Sequence, residues 1–236
     1  MQQLAVITGS SKGIGRALAF KFASCGFSIV LNARNEKNLT RLANEITTAY
    51  PNIRVHFRPT DVSDEKDVKD FASFIQAINK PVEVLINNAG IFLPGTIHEE
   101  AEGNLEQMMN TNLYSAYHLS RALIPGMKKR KDGHIFNVCS TASLGAYTNG
   151  GSYSITKFAM LGMSKNLREE LKGFNIRVTS VMPGATYTAS WEGADIPEER
   201  LMKASDVAET IYNAYALSKT SVVEELVMRP QLGDLG

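Results

Sequence analysis

Short apolar runs of strand character alternate with segments of helical period along the whole chain, and this alternation leaves few folds open. The runs are Leu4–Thr8, Ser28–Ala33, Arg54–Arg58, Val84–Asn87, His134–Cys139, Arg177–Val181 and Val222–Val227. Repeated strand–helix–strand units close most simply with right-handed crossovers, so the pattern predicts a parallel sheet with helices on both faces. The intervening segments carry the stripes that such a sheet needs. Leu39, Leu42, Ala43 and Ile46 recur at i, i+3, i+4 and i+7, and Val68, Phe71, Phe74, Ile75 and Ile78 do much the same. With no internal repeat or Pro/Gly/Ser-rich linker, residues 1–236 are read as one doubly wound α/β domain built on a seven-stranded parallel sheet.

Charge and composition remove several function classes. Lys and Arg number 25 against 24 Asp and Glu, a net charge of +1, which gives no global attraction for nucleic acid or an anionic membrane. The local exception, Lys128-Lys129-Arg130-Lys131, reads as the cationic end of a helix. No apolar run reaches the roughly 18 residues of a membrane helix, and Met1-Gln2-Gln3 lead directly into the first strand, so a cytoplasmic location is expected. Cys25 and Cys139 are expected to be free thiols. His56, His98, His118 and His134 lack close ligand spacing, so no metal is expected.

The first strand is followed by Thr8-Gly9-Ser10-Ser11-Lys12-Gly13-Ile14-Gly15 and then by a helical segment. Glycines there permit a tight turn and bring backbone N–H groups and a helix N-terminus against a pyrophosphate, the phosphate end of a Rossmann-type dinucleotide site. Such sites choose between a ribose hydroxyl and a 2′-phosphate at the end of the second strand. That strand ends in Asn32-Ala33-Arg34-Asn35 without a carboxylate, and Arg34 with Lys12 suits a phosphate. NADP(H) is therefore the expected cofactor.

Tyr153-Ser154-Ile155-Thr156-Lys157 sets a phenol and an ammonium one helical turn apart on one face. A cation beside a phenol favours its ionised form, which suits a proton donor in reduction. The same spacing recurs at Tyr215 and Lys219. Position separates the two copies: Ser140, at the end of the run His134–Cys139, lies thirteen residues before Tyr153, whereas Met202 holds the equivalent place before Tyr215. Ser140 lacks the Gly-x-Ser-x-Gly surroundings of a hydrolase nucleophile and is read as orienting a carbonyl.

Taken in order, Thr8-Gly9-x-x-x-Gly13-x-Gly15, Asp61-Val62, Asn87-Asn88-Ala89-Gly90, Asn112, Ser140, Tyr153-x-x-x-Lys157 and Pro183-Gly184 resemble the short-chain dehydrogenase/reductase family over nearly the whole chain. The resemblance implies a catalytic set of Asn112, Ser140, Tyr153 and Lys157, with Asn112 holding a water-linked proton relay to Lys157. It implies that Asp61-Val62 meets the adenine and that Asn88-Ala89-Gly90 supports the cofactor. Pro183, Gly184, Thr186 and Thr188 would lie at its amide or phosphate end, and Lys157, beside Tyr153, would hold its ribose. A homodimer or homotetramer also follows from the resemblance alone.

Substrate choice is expected in the region about 185–204, where Tyr187 and Trp191 either stack on a planar ring or anchor the loop. The stretch Pro183–Thr188 followed by Trp191 looks like bacterial sepiapterin reductases, and the tail Val222–Pro230 looks both like these and like 3-oxoacyl-carrier-protein reductases. The expected reaction is NADPH-dependent reduction of a small ketone or diketone, with a sepiapterin-like substrate slightly favoured. A 3-oxoacyl thioester is the alternative, and a non-catalytic NADP-binding regulator is the reading from a different class.

Overall fold

Leu4, Ala5, Val6 and Ile7 are all fully buried, yet they serve two different cores: Leu4 and Val6 point to one side of the sheet, Ala5 and Ile7 to the other. A strand without a polar face belongs in the middle of a sheet covered on both sides. The structure, a computed structural model, places it there and describes residues 3–188 and 196–234. Strands β1 (Leu4–Ile7), β2 (Ser28–Ala33), β3 (Val55–Pro59), β4 (Val82–Asn87), β5 (Gly133–Val138), β6 (Ile176–Pro183) and β7 (Glu225–Met228) form one parallel sheet in the order β3-β2-β1-β4-β5-β6-β7.

Helices α1 (Gly13–Ser24), α2 (Glu36–Ala49) and α7 (Ala204–Ala216) bury Phe22, Leu39 and Ile211 against one face. Helices α3 (Glu65–Ala77) and α5 (Ser115–Arg130) bury Phe71 and Leu123 against the other, and α6 (Gly151–Leu171) joins that layer through Met160, Leu161 and Leu171. Both predicted stripes face the sheet: Leu39, Leu42, Ala43 and Ile46 are buried, as are Val68, Phe71 and Ile75. Local capping starts two of these helices. Asn35 accepts from the Asn38 amide at 3.0 Å and Asp64 from the Asp67 amide at 2.9 Å, each bond stabilising its helix by about 1 kcal/mol.

Most strand limits lie within a single residue of the sequence expectation, and one limit each of β7, β4 and β6 differs by two or three. β7 starts at Glu225 rather than Val222, because the preceding residues approach β6 as an extended lead-in: Thr179 Oγ1 donates to the Val223 carbonyl at 2.6 Å and the Ser180 amide to the Glu224 carbonyl at 2.9 Å. β4 starts at Val82, where Leu4 pairs with it. β6 runs on to Pro183, since a proline with no N–H to contribute is tolerated at a strand end. Behind the sheet's carboxyl edge, Asn87 donates to Asn137 Oδ1 (2.8 Å) and to Ser120 Oγ (3.0 Å). Asn137 donates to Ser164 Oγ at 3.0 Å, and Ser180 Oγ bonds to the same hydroxyl at 2.8 Å. Asn87, Asn137 and Ser180 are register partners on β4, β5 and β6, so this buried polar ladder fixes how those strands align.

Candidate active site

The chain leaves β1 toward β2 on one side and returns beside β1 as β4 on the other, so the connections after these two strands diverge and open a crevice. The glycine turn lies on its rim. Gly9 and Gly13 hold φ of +62° and +54°, values that side chains disfavour. Gly15 is required by proximity instead: a Cβ there would overlap the Gly9 carbonyl oxygen and lie 2.6 Å from Asn88 Nδ2. Asn88 Nδ2 donates to the Thr8 and Gly9 carbonyls at 2.9 and 3.2 Å, while Thr8 Oγ1 accepts the amides of Asn88 and Ala89, both at 3.0 Å. The loops after β1 and β4 are thereby one rigid piece. Ser10 is wholly buried, and its hydroxyl is engaged with the Asn32 backbone at 2.9 and 3.0 Å, so that side chain anchors the turn from behind. Helix α1 begins after the exposed, extended Lys12 with no side-chain cap and no acid in its first turn, which leaves its N-terminal amides open to an anion.

At the far end of the crevice, Arg34 is exposed just past β2 and acts electrostatically on Asp61, just past β3. Burial works to raise the Asp61 carboxyl. Hydrogen bonds from the Ser63 amide (3.0 Å) and hydroxyl (2.7 Å), together with the Arg34 charge, outweigh it and hold Asp61 below the ordinary carboxylate range. Val62 is half-buried beside it.

The catalytic candidates meet beyond the ends of β4 and β5. Tyr153 and Lys157 occupy the first two turns of α6, with Lys157 Nζ 5.6 Å from the centre of the Tyr153 ring. Lys157 is 5% exposed and donates to the Val138 carbonyl at 3.0 Å, so its ammonium is pinned at the end of β5. A Cβ placed on Gly90 would lie 3.3 Å from Asn112 Oδ1 and 3.6 Å from Lys157 Nζ, so both groups border Gly90. Asn112 sits in a wide π turn, Asn110–Tyr114, between α4 (Asn104–Met109) and α5. Its Oδ1 accepts the Ile91 amide at 2.7 Å, and its Nδ2 donates to the Ile91 carbonyl and Thr156 Oγ1, both at 3.0 Å. Its carboxamide is therefore a brace between the loop after β4 and the helix of Lys157. Ser140 ends the β5 connection and caps the short turn Thr141–Ser143, its Oγ accepting the Ala142 amide at 3.2 Å. A hydroxyl that accepts still has its own proton to donate.

At the end of β6 Pro183 is buried, and just beyond it the Gly184 amide donates to the Met228 carbonyl at 2.8 Å. Thr186 is also buried, and the flanking residues are clipped to the segment before α7 by the Tyr187 amide to the Met202 carbonyl (2.8 Å) and the Met202 amide to the Ala185 carbonyl (2.9 Å). Thr188 reaches the glycine turn: a Cβ on Gly13 would lie 3.0 Å from its Cγ2. Tyr187 is 52% exposed, and Trp191 lies outside the described residues. Among the described residues, no three His, Cys, Asp or Glu side chains gather to hold a metal, and no helix is long and apolar enough to cross a membrane.

The short chain dehydrogenase pattern matches residues 3–198. The chain belongs to the short-chain dehydrogenase family. As a short-chain dehydrogenase it is 32% identical to the sepiapterin reductase of Chlorobaculum tepidum over 243 residues, covering 100% of this chain and 99% of that protein. Among solved structures, a metagenomic short-chain oxidoreductase in complex with NADP superposes with a TM-score of 0.85 at 30% identity, covering 97% of both chains. An alcohol dehydrogenase from the archaeon Thermococcus sibiricus, complexed with 5-hydroxy-NADP, gives a TM-score of 0.91 at 27% identity over the full length of both chains.

The second Tyr–Lys pair of this short-chain dehydrogenase lies at the opposite edge of the sheet. Tyr215 approaches Glu83 and Gln3 at 3.4 Å each, and Lys219 pairs with Glu83 and Asp132, near the starts of β1, β4 and β5. Burial, and next the Glu83 charge, push the Tyr215 phenol up, the reverse of what a proton donor needs. Beside it, His134 is fully buried with Nε2 2.7 Å from Thr179 Oγ1 and Nδ1 without a partner. Burial, then the Arg177 charge, hold its pKa well below the ordinary histidine value. The unfolded chain therefore takes up this proton near pH 6.5 while the native state refuses it, so stability falls as pH drops below about 6.5. For one such group the slope is about 1.4 kcal/mol per pH unit, or a fall in Tm of about 3–6 °C. Thermal melts between pH 8 and 5 should show this slope reduced in His134→Gln; an identical slope would exclude His134 as its source.

Two aromatic residues absent from the sequence expectation flank Tyr153. The Phe92 ring packs edge-on against it with centroids 4.9 Å apart. Tyr147 is half-exposed at the approach to α6, and burial, then the nearby Tyr153, push its phenol up to about 12. Their signal was positional: Phe92 lies two residues past Asn88-Ala89-Gly90, and Tyr147 lies between Ser140 and Tyr153.

Proposed function

We propose that the protein is an NADPH-dependent carbonyl reductase that takes a small ketone or diketone to an alcohol, with Tyr153 as proton donor. The observation that carries this reading is the pairing of Tyr153 with a buried Lys157 pinned to Val138 at the mouth of the crevice. Its neighbours suit the task. The Lys157 ammonium opposes the negative charge left on the phenol oxygen as its proton leaves, the Asn112 brace holds the helix of Lys157 against the loop after β4, and Ser140 is free to donate to the substrate carbonyl. The cradle around Gly9, Gly13 and Gly15 fits a pyrophosphate, because a Cβ at any of the three would fill it or collide with its wall, and the uncapped start of α1 faces the same anion. NADPH, when bound there, supplies the hydride.

Arg34 and Lys12 would hold the 2′-phosphate, with Asp61 and Val62 beside the adenine and Thr186 and Thr188 toward the amide end. Arg34→Asp is expected to raise the KM for NADPH by about 10- to 100-fold, the loss of one charge-assisted contact. The KM for NADH should move much less, and steady-state kinetics with the two cofactors showing equal changes would remove Arg34 from the phosphate site.

Phe92 and Tyr147, the two aromatic residues beside Tyr153, favour a planar diketone, as does the name carried by the Chlorobaculum tepidum relative. Exposed Glu198 and Glu199 disfavour docking of an acidic carrier protein. The deciding experiment is NADPH oxidation across sepiapterin-like diketones, acetoacetyl thioesters, quinones and simple ketones, with Tyr153→Phe as control. No turnover with any of them would sink the reductase reading. We further propose a cytoplasmic homodimer or homotetramer whose contact includes the face carrying exposed Tyr114, Tyr117, Ile155 and Phe158. A monomeric mass by light scattering would refute it.

A further inference from the structure

The helix that carries Tyr153 has no cap of its own. Where α2 and α3 open on Asn35 and Asp64, α6 opens on Gly150, which has no side chain to offer, and no acid lies in its first turn. Its amide at Ser152 nonetheless finds a carboxylate from 52 residues upstream: Glu100 Oε1 accepts that N–H at 2.7 Å. Glycines make the room. A Cβ on Gly151 would overlap Glu100 Oε1, and one on Gly95 would lie 2.7 Å from Glu100 Cγ. Gly95 pairs with the chain just before the helix, its amide donating to the Asn149 carbonyl at 3.1 Å. At the other end of the same segment, Phe92 packs edge-on against Tyr153.

We infer that Glu100 is a positioning residue for Tyr153, an inference that rests on Tyr153 being the proton donor. The two members of the Tyr–Lys pair are held by different parts of the fold. Lys157, in the second turn, is fixed by the Val138 carbonyl on β5. Tyr153, in the first turn, is held by the strap 92–100, with Glu100 fastening the turn and Phe92 seating the ring. An unfastened first turn frays, because its amides have no partners within the helix. The phenol then loses its alignment while the ammonium keeps its place.

The experiment compares Glu100→Ala, Glu100→Gln and Tyr153→Phe with the unaltered full chain in steady-state reduction, NADPH binding and amide exchange. Glu100→Ala is expected to lower kcat by about 10- to 100-fold while NADPH affinity and carbonyl KM stay within about threefold, and to speed exchange at Ser152. Glu100→Gln keeps an oxygen acceptor and should recover most of the lost kcat. Should Glu100→Ala not fold, Glu100→Asp, one methylene shorter, must show the same loss confined to kcat. Unchanged kcat in Glu100→Ala, or a Glu100→Gln protein as impaired as Glu100→Ala, overturns the inference. Turnover that survives Tyr153→Phe overturns the donor assignment instead; the clamp is then judged by exchange alone, and unaltered protection at Ser152 refutes it.

Discussion

Replacing Tyr153 with Phe is expected to lower kcat for carbonyl reduction by about 100- to 10,000-fold, the range for loss of a positioned general acid. The substitution deletes one oxygen and keeps the ring, so the edge-on contact with Phe92 survives and the first turn of α6 keeps its packing. NADPH affinity and Tm should stay close to those of the unaltered protein. The comparison is therefore between two folded, cofactor-competent enzymes that differ in the proton they can give. Two other phenols are poorly suited to substitute: Tyr147 holds its proton up to a pKa of about 12, and Tyr215 lies at the other edge of the sheet. Single-turnover oxidation of bound NADPH, followed in both proteins with the best substrate from the screen, is the cleanest measure. A rate within about tenfold of the original would mean that the proton comes from elsewhere.

Gly15→Ala is expected to damage the opposite end of the crevice. Its added methyl group would overlap the Gly9 carbonyl and crowd Asn88 Nδ2, the atom that ties the loops after β1 and β4 together. Neither neighbour is a flexible side-chain tip with open space behind it, so the turn itself must move. Overpacking of this kind costs about 1–3 kcal/mol, which for a chain of 236 residues lowers Tm by about 2–12 °C. NADPH affinity should fall by at least about tenfold, because the backbone amides proposed to face the phosphates move with the turn. Fluorescence titration and thermal melts measure the two effects. An alanine variant with unaltered affinity would show that the turn tolerates displacement and is not the phosphate cradle.

The sequence made the inner sheet legible because burial on both faces leaves a mark there: Leu4 to Ile7, Ile29 to Leu31 and Val84 to Ile86 are uninterrupted apolar runs. The helix stripes were equally plain, since Leu39, Leu42, Ala43 and Ile46 report the period directly. Sequence spacing also placed Tyr153 and Lys157 together, strand-end logic set Ser140 just past β5, and the family resemblance pointed to Asn88. What escaped depends on distance or on fine backbone geometry. Nothing in Glu100 predicts a bond to an amide 52 residues later, and the extra residue per turn at Asn110–Tyr114, which aims Asn112 at Ile91 and Thr156, has no composition signal. Ser10 was expected at the cofactor, but whether a hydroxyl in a tight turn faces outward or, as here, back to Asn32 is decided by one dihedral angle. The start of β7 was misjudged because Val222 and Val223 have strand character yet only lead into the pairing.

The place of β1 bears on how the chain is made. Of the seven strands of this sheet it leaves the ribosome first, and it ends as an inner strand, paired to β2 through residues 28–31 and to β4 through residues 82–86. During synthesis the first three strands can assemble, but one side of β1 stays an unpaired apolar edge until β4 emerges some fifty residues after β2. That interval is the window in which a nascent chain of this kind can pair with a neighbour instead of with itself. It also means that deleting residues 4–7 would remove an interior beam of the sheet, whereas deleting residues 229–234 would begin beyond β7 at its rim.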